Sequence, residues 1–295
     1  MSGQGRIIPG PFRGSLRRPR LIRGGHPAER LLLLLAWLIL AALVLFAVFA
    51  RFVAPDDPII LDIAHRLRPP SLTHLFGTDE GGRDIFSRVV YGTRYSLGVA
   101  VAIVFAAAIF GIVYGAVSGM ASRRVDDVMM RIVDLFFGFP ALVLAMAVAA
   151  AIGRGLDSVA LSLAVIWWPG YARLVRGEVL RLRERPHVEA ARALGVSTFT
   201  LLRRHIIPFV LQEVNVRVTT DIGYALVAVT ALSFLGLGAE SPTPEWGLLI
   251  RDSRPYFGSA WWYLVFPGLM IMLTATAFSI IGDWLAARRR RGGAP

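Results

Sequence analysis

EAARALGVSTFTLLRRHIIPF, residues 189–209, is a polar, alanine-rich stretch set between two long apolar runs. Val188 to Leu194 is a run of good helix formers. Gly195 ends that run, as a glycine does just past a helix C-terminus. Ser197 is placed to cap a second helix, expected over Thr198 to Ile207, and Pro208 to mark a bend where the next apolar run starts. The predicted product is a helix-turn-helix outside any apolar span. Its first helix presents Ala190, Ala191 and Ala193, small side chains over which another surface can close. Glu189 puts a negative charge at the helix end where the dipole favours one, and Arg203 and Arg204 put positive charge on the second helix. Such an element is a compact docking knob, the handle of a chain otherwise built for lipid.

The rest of the composition agrees with lipid. Of 295 residues 55% are hydrophobic and only 18% charged, yet the net charge is +12. Soluble domains carry about 45–50% apolar residues. All 32 basic residues are arginine. With no lysine there is no P-loop and no Schiff-base amine, so the chain does not hydrolyse ATP through a P-loop of its own. With no cysteine, thiolate metal sites, disulfides and cysteine nucleophiles are excluded, as is an N-terminally lipidated lipoprotein. His26, His65, His74, His187 and His205 are dispersed without metal-ligand spacing, and neither Gly-x-Ser-x-Gly nor His-Glu-x-x-His occurs. No catalytic, cofactor or metal site is expected. The arginines are scattered between apolar spans, which argues for a lipid bilayer as partner and against nucleic acid.

A helix needs roughly 20 apolar residues to cross the hydrocarbon core. Leu31–Ala50, Tyr95–Ala121, Leu135–Gly153, Ser158–Ala172, Ile222–Ala239 and Tyr256–Gly282 give six expected spans, the fourth short unless Arg173 and Arg176 snorkel. The fold class is therefore an all-α membrane protein with six transmembrane helices. Seven arginines precede the first span and Arg288 to Arg291 follow the last, which predicts both termini inside. Arg51, Arg66, Arg68, Arg83, Arg88 and Arg94, on the external side of that scheme, count against it. The first apolar run is too long for a signal peptide. In domain terms, 1–30 is a disordered arginine-rich cytoplasmic tail, 31–53 the first span and 54–94 an extracytoplasmic segment. Residues 95–290 form a five-helix core with the cytoplasmic loop at 178–208, and 291–295 are a second tail.

Inside the spans, Gly111, Gly115 and Gly119 form a face without side chains, expected to let a neighbouring helix approach. Pro140 after Gly138 predicts a kink in span three. Arg217 and Asp221, four apart, are expected to pair. A proton-coupled carrier using Asp221 or Asp283 is the alternative to the reading that follows.

The spacing of Glu189-Ala190-Ala191, Gly195 and the ending His205-Ile206-Ile207-Pro208 resembles the EAA loop of ABC-importer permeases. The usual ending is Ile-x-Leu-Pro; Ile207 is a conservative change, while His205 matches an Arg-His-Ile-x-Pro form similar to the peptide-importer branch. HLFGTDEGGRDIFSRVVYGTRYSL (74–97), ALSFLGLGAESPTPEWGLLIRDSRPYF (231–257) and FPGLMIMLTATAFSIIGDWL (266–285) are similar to segments of the C-type permease of dipeptide, oligopeptide and nickel importers. The resemblance covers about residues 31–290. It implies the MetI-like fold of type I ABC-importer permeases in a bacterial or archaeal cytoplasmic membrane. The implied partners are a second homologous permease, two ATP-binding subunits that carry ATP and magnesium, and an extracytoplasmic substrate-binding protein. Glu189, Ala190, Ala191, Gly195, Arg203, Arg204 and Pro208 would then couple to the ATPase. The implied cargo is peptide, short before long, although nickel chelates, haem and glutathione use the same pattern.

Two external stretches complete the candidates. Gly236 and Gly238 are expected to end span five flexibly, with Pro242 and Pro244 stiffening the approach to an interfacial Trp246. That segment is a candidate gate or binding-protein contact. Asp79, Arg83 and Asp84 form a polar turn, read as a folded external cap or a second contact for the binding protein.

Overall fold

The computed structural model describes residues 27–292, and every regular element among them is helical. Of the tail expected over 1–30, residues 27–30 form the first turn of a helix, while 1–26 and residues 293–295 lie outside the described residues. In chain order the helices are α1 (Pro27–Val53), α2 (Ile85–Met120), α3 (Arg123–Phe137), α4 (Ala141–Ile152) and α5 (Leu156–Arg183). There follow α6 (Pro186–Ala193), α7 (Thr198–Thr200), α8 (Ile207–Phe234), α9 (Trp246–Asp252) and α10 (Trp261–Gly292). Five are long and apolar enough to cross a membrane, and the α3–α4 pair makes a sixth candidate although bent by 87°.

Contacts at the two ends of the bundle show that this bent pair runs from one end to the other. At one end Arg183 donates to the Gly119 carbonyl at 3.0 Å, Arg289 meets Glu213, and Leu33 of α1 packs in a cluster with Leu285 of α10. At the other the Gly155 N–H donates to the Leu237 carbonyl at 3.0 Å, the Trp262 indole donates to Thr78, and Arg94 donates to the Ala47 and Val48 carbonyls of α1. Met120 therefore hands the chain to α3 at the first end, and α4 delivers it to α5 at the second. The N-terminus of α1, the C-terminus of α10 and the α6–α7 knob share one end.

The expected kink at Pro140 is a break. Gly138 closes α3 by donating to the Leu135 carbonyl at 3.3 Å, and Pro140 precedes the first turn of α4. Other boundaries move for local reasons. α2 starts at Ile85, not Tyr95, because the Asp84 carboxylate caps it by accepting from the Ser87 N–H at 2.7 Å. α5 runs past Ala172 to Arg183: Arg176 does not snorkel but donates to Asp126 of α3, its Nε at 2.8 Å, and Arg173 meets Asp134 at 2.6 Å. α8 begins at Ile207, far ahead of Ile222, and α10 begins at Trp261, after Tyr256. No bend separates the knob from α8. After one turn of α7 the chain winds as a π-helix over Leu201–Ile206 and enters α8, with Pro208 in its first turn.

The Gly111, Gly115 and Gly119 face lies against α5. A Cβ at Gly115 would fall 2.4 Å from the Ala172 carbonyl oxygen, and one at Gly111 would fall 2.4 Å from the Tyr171 Cβ. This is packing within the chain.

Candidate functional site

The knob is held by local bonds. Gly195 adopts φ +81°, a conformation side chains rarely take. The turn it makes lets the Val196 N–H reach the Ala191 carbonyl at 3.2 Å and the Gly195 N–H reach Arg192 at 3.0 Å, the double bond of a Schellman ending. Ser197 caps the next turn, its hydroxyl accepting from the Thr200 N–H at 3.4 Å. Val188, Leu201 and Ile206 are buried in the main core with Leu182 of α5 and Val210 of α8, so the knob is anchored to both helices. Glu189, Ala190, Ala193, Arg203, Arg204 and Pro208 are exposed, and Ala191 is half-buried. Beside them Leu194 is 84% and Phe199 71% exposed. Sequence reasoning missed these two, because spacing alone does not show which apolar side chains of a short helix pair find cover. Glu189 lines a hollow of about 430 Å³ with Arg183, Arg192 and Thr198.

A second cavity, of about 590 Å³, opens at the α3–α4 break. Phe136, Phe137 and Phe139 from the break, Trp167 from α5 and Tyr224 from α8 make it largely apolar. Its one ion pair is Arg217–Asp221, Nε to Oδ2 at 3.2 Å, the pairing expected from their spacing. The Arg217 guanidinium lies over the Tyr171 ring at 5.2 Å and beside Gly170, where a Cβ would come within 2.8 Å of it. A solute here meets aromatic walls, one cation and one anion. Asp283 is exposed near the end of α10, away from this cavity's lining.

The far end of the bundle is closed by a cap from segments 54–84 and 236–260. Asp79 is its centre. Its Oδ1 accepts from the Gly81 and Arg83 N–H groups at 2.7 and 2.9 Å, and its Oδ2 accepts from Arg83 Nε at 2.7 Å and from Arg88. Arg88 continues to the Pro242 and Thr243 carbonyls at 3.3 and 3.4 Å, tying the two segments together. Trp246 is fully buried, its indole donating to Val89 at 3.0 Å and its own N–H to Ser96 Oγ at 3.0 Å. Glu245, also buried, accepts from the Gly247 and Leu248 N–H groups at 2.9 and 2.8 Å; burial pushes its carboxyl above the usual range, against the pull of those donors. Of the residues read as an external cap, gate or binding-protein contact, Asp79, Arg83, Asp84, Gly238, Pro244 and Trp246 are buried and hold the cap together, while Gly236 is half-buried and Pro242 exposed. Trp246 is not an interfacial anchor. Gly236, at φ +86°, ends α8 in a bonded turn, with the Leu237 N–H donating to Leu232 at 3.0 Å, so that end is not flexible. Three of the six arginines that count against the expected orientation are bonded within this end of the bundle: Arg83 and Arg88 to Asp79, and Arg94 to α1 carbonyls.

Residues 111–291 match the family of binding-protein-dependent transport system inner membrane components. The chain belongs to this family. As such a transport permease it resembles the probable D,D-dipeptide transport system permease DdpC of Escherichia coli K12, 40% identical over 83% of this chain and 82% of the relative. It also resembles the dipeptide permease DppC of Bacillus subtilis (36%, covering 92% and 86%) and the glutathione permease GsiD of E. coli O6:K15:H31 (41%, covering 85% and 83%). In fold it is similar to the MetNI methionine ABC transporter in inward-facing form, with TM-score 0.55 and 19% identity over 68% of this chain and 95% of that one. An amino acid ABC transporter solved with histidines gives TM-score 0.53 and 16% identity over 70% and 94%. The expected all-α MetI-type fold is thus the fold of this permease, a multi-pass membrane protein. A permease of an ABC importer works with ATPase and substrate-binding partners. Membership supersedes the carrier alternative built on Asp221 and Asp283.

Proposed function

We propose that this permease forms half of the translocation path of a peptide importer in a bacterial or archaeal cytoplasmic membrane. A second homologous permease supplies the other half. Two ATPase subunits, which alone hold ATP and magnesium, dock on the knob, and an extracytoplasmic binding protein delivers the cargo. The knob, both termini and the C-terminal arginines then face the cytoplasm. The chain itself carries transport and no catalysis.

The carrying observation is the α6 helix, which exposes Glu189 and Ala190 with Leu194 and Phe199 beside them and projects from the bundle while Val188 roots it between α5 and α8. Closure of an ATPase dimer displaces such a knob as a unit, and α5 and α8, which line the larger cavity, move with it. Peptide is the cargo favoured by the dipeptide and glutathione systems its relatives serve. The cavity suits it: Arg217 can take a carboxylate, Asp221 an ammonium, and the aromatic walls a side chain. The test is Glu189→Ala in the reconstituted complex. Uptake of labelled dipeptide should fall at least tenfold while the variant melts within about 2 °C of the parent, a surface change being worth about ±0.5 kcal/mol. Unchanged uptake would overturn the coupling role.

A further inference from the structure

We propose that Asp56, His74 and Asp84 form a site on the cap for a divalent transition-metal ion of the zinc class, stapling the exit of α1 to the start of α2. The three come from separate places: Asp56 just past α1, His74 in the turn between Ser71 and Gly77, and Asp84 at the N-cap of α2. One ligand atom from each lies within 4.8 Å of the other two. His74 Nδ1 is 3.2 Å from Asp84 Oδ1 and 3.9 Å from Asp56 Oδ2. Donors bound at about 2.1 Å in a tetrahedron stand about 3.4 Å apart. The His74–Asp84 edge is already at that spacing, and only the exposed Asp56 side chain has to move, by about an ångström.

Charge points the same way. Asp79 has two arginines on its carboxylate, whereas among the described residues no arginine forms an ion pair with Asp56 or Asp84. The Asp84 side chain is buried, and its Oδ1 points at the imidazole nitrogen. The imidazole nitrogen is within hydrogen-bond distance of Asp84 alone and leaves the Asp56 carboxylate, at 3.9 Å, beyond its reach. A divalent ion among the three neutralises both carboxylates and uses the imidazole as a neutral ligand.

The supports of the three donors are also in place. The Ser87 hydroxyl donates to Asp84 Oδ2 at 2.8 Å and accepts from the Asp56 N–H at 3.1 Å, while the Ser87 N–H binds the same Asp84 oxygen at 2.7 Å. Ser87 thus orients the Asp84 carboxylate, ties down the Asp56 backbone and leaves Asp84 Oδ1 directed at the site. His74 is pinned through its N–H to Ser71 Oγ at 3.1 Å and through its carbonyl, which accepts from Ser71 and Gly77 at 2.9 Å. One imidazole with two carboxylates suits zinc, cobalt, nickel or manganese, whereas calcium and magnesium ask for oxygen-only shells of six or more. Three protein ligands leave one coordination position for water.

The test uses the full chain, purified in mild detergent through a tag without histidine, stripped with EDTA and dialysed against ZnCl₂. Elemental analysis should find one zinc per chain at saturation, unaffected by millimolar magnesium. Cobalt(II) should give the visible absorption of a tetrahedral site. His74→Ala should abolish that stoichiometric binding, and Asp56→Asn should weaken it at least tenfold without changing the melting of the metal-free protein. Should His74→Ala fail to fold, Asp56→Asn alone decides, since that carboxylate sits on an exposed loop. No saturable binding, or binding that both variants retain at full affinity, overturns the proposal.

Discussion

Replacing Asp79 with alanine removes the acceptor shared by Arg83 and Arg88, both buried; Arg83 keeps Glu80, whereas Arg88 loses its ion pair and is left with the Pro242 and Thr243 carbonyls. Removing one partner of a buried ion pair costs about 3–5 kcal/mol, because the remaining charge is left without compensation. The Gly81 and Arg83 N–H groups lose their acceptor too, at about 1–3 kcal/mol each where water does not replace it. About 4 kcal/mol is the conservative total, and at about 2–4 °C per kcal/mol the melting temperature should fall by roughly 8–16 °C. Asp79→Asn keeps an oxygen for the two backbone donors and loses only the charge, so it should fall by about half as much. Arg88→Met removes one stranded cation, and in the Asp79→Ala background it should restore part of the loss, a non-additivity that marks direct coupling. Melting in detergent, followed by size-exclusion fluorescence, reads all four proteins. Should Asp79→Ala not accumulate, Asp79→Asn carries the comparison. An Asp79→Ala variant melting within about 2 °C of the parent would refute the buried-network account of the cap.

Two further outcomes follow from packing and burial. Gly115→Ala places a Cβ 2.4 Å from the Ala172 carbonyl oxygen and 2.9 Å from the Val175 Cβ, and should destabilise by about 1–3 kcal/mol. Gly98→Ala, on the same helix with nothing within 4 Å, should be neutral or stabilising; equal melting of the two variants would sink the close-approach reading. Glu245 supplies a pH dependence. Burial raises its carboxyl above 4.5 in the folded protein, so the folded state holds that proton more tightly than the unfolded chain. The resulting stabilisation is complete below the unfolded value and is lost as pH rises from about 4.5 through the folded value. Glu245→Gln removes the titrating group, and the melting temperature of the parent minus that of the variant should decline across that window; a difference that rises with pH would contradict the burial argument.

The knob was the most legible part of this protein because everything that shapes it is local. Helix formers, a glycine at the left-handed position and a serine cap all act within a few residues of Glu189, and the observed bonds from Val196 to Ala191 and from Thr200 to Ser197 span no more. The spans were legible as apolar runs but their ends were not. A run stops at the first charge, whereas a helix stops only where its backbone loses partners, and Arg176 continues α5 by meeting Asp126 fifty residues away. The folded cap was legible as one of two readings of its polar turn, but the bonds that close it were not. Its turn of alternating charge looks solvated until Arg88 reaches Pro242, 154 residues on, and Trp246 looks interfacial until its indole finds Val89, 157 residues back. The larger cavity depends on a break, α5 and α8 at once, and no single stretch encodes it.

This division between local and distant bonds bears on how the permease moves. A knob whose shape is closed by its own hydrogen bonds keeps that shape when its roots at Val188, Leu201 and Ile206 shift, so a push on it is transmitted and not absorbed. The cap at the other end is bound through buried charges drawn from two distant segments, which resist shear because each guanidinium has several fixed acceptors. Between them Gly138 and Pro140 interrupt the helical ladder beside the cavity that holds Arg217 and Asp221, and the distant ties nearest the break are those of Arg173, to the exposed Asp134 and over the Phe137 ring. If the knob couples as proposed, its displacement relative to the cap would be taken up at the break, and the cavity wall formed by Phe136, Phe137 and Phe139 would be the part that changes shape.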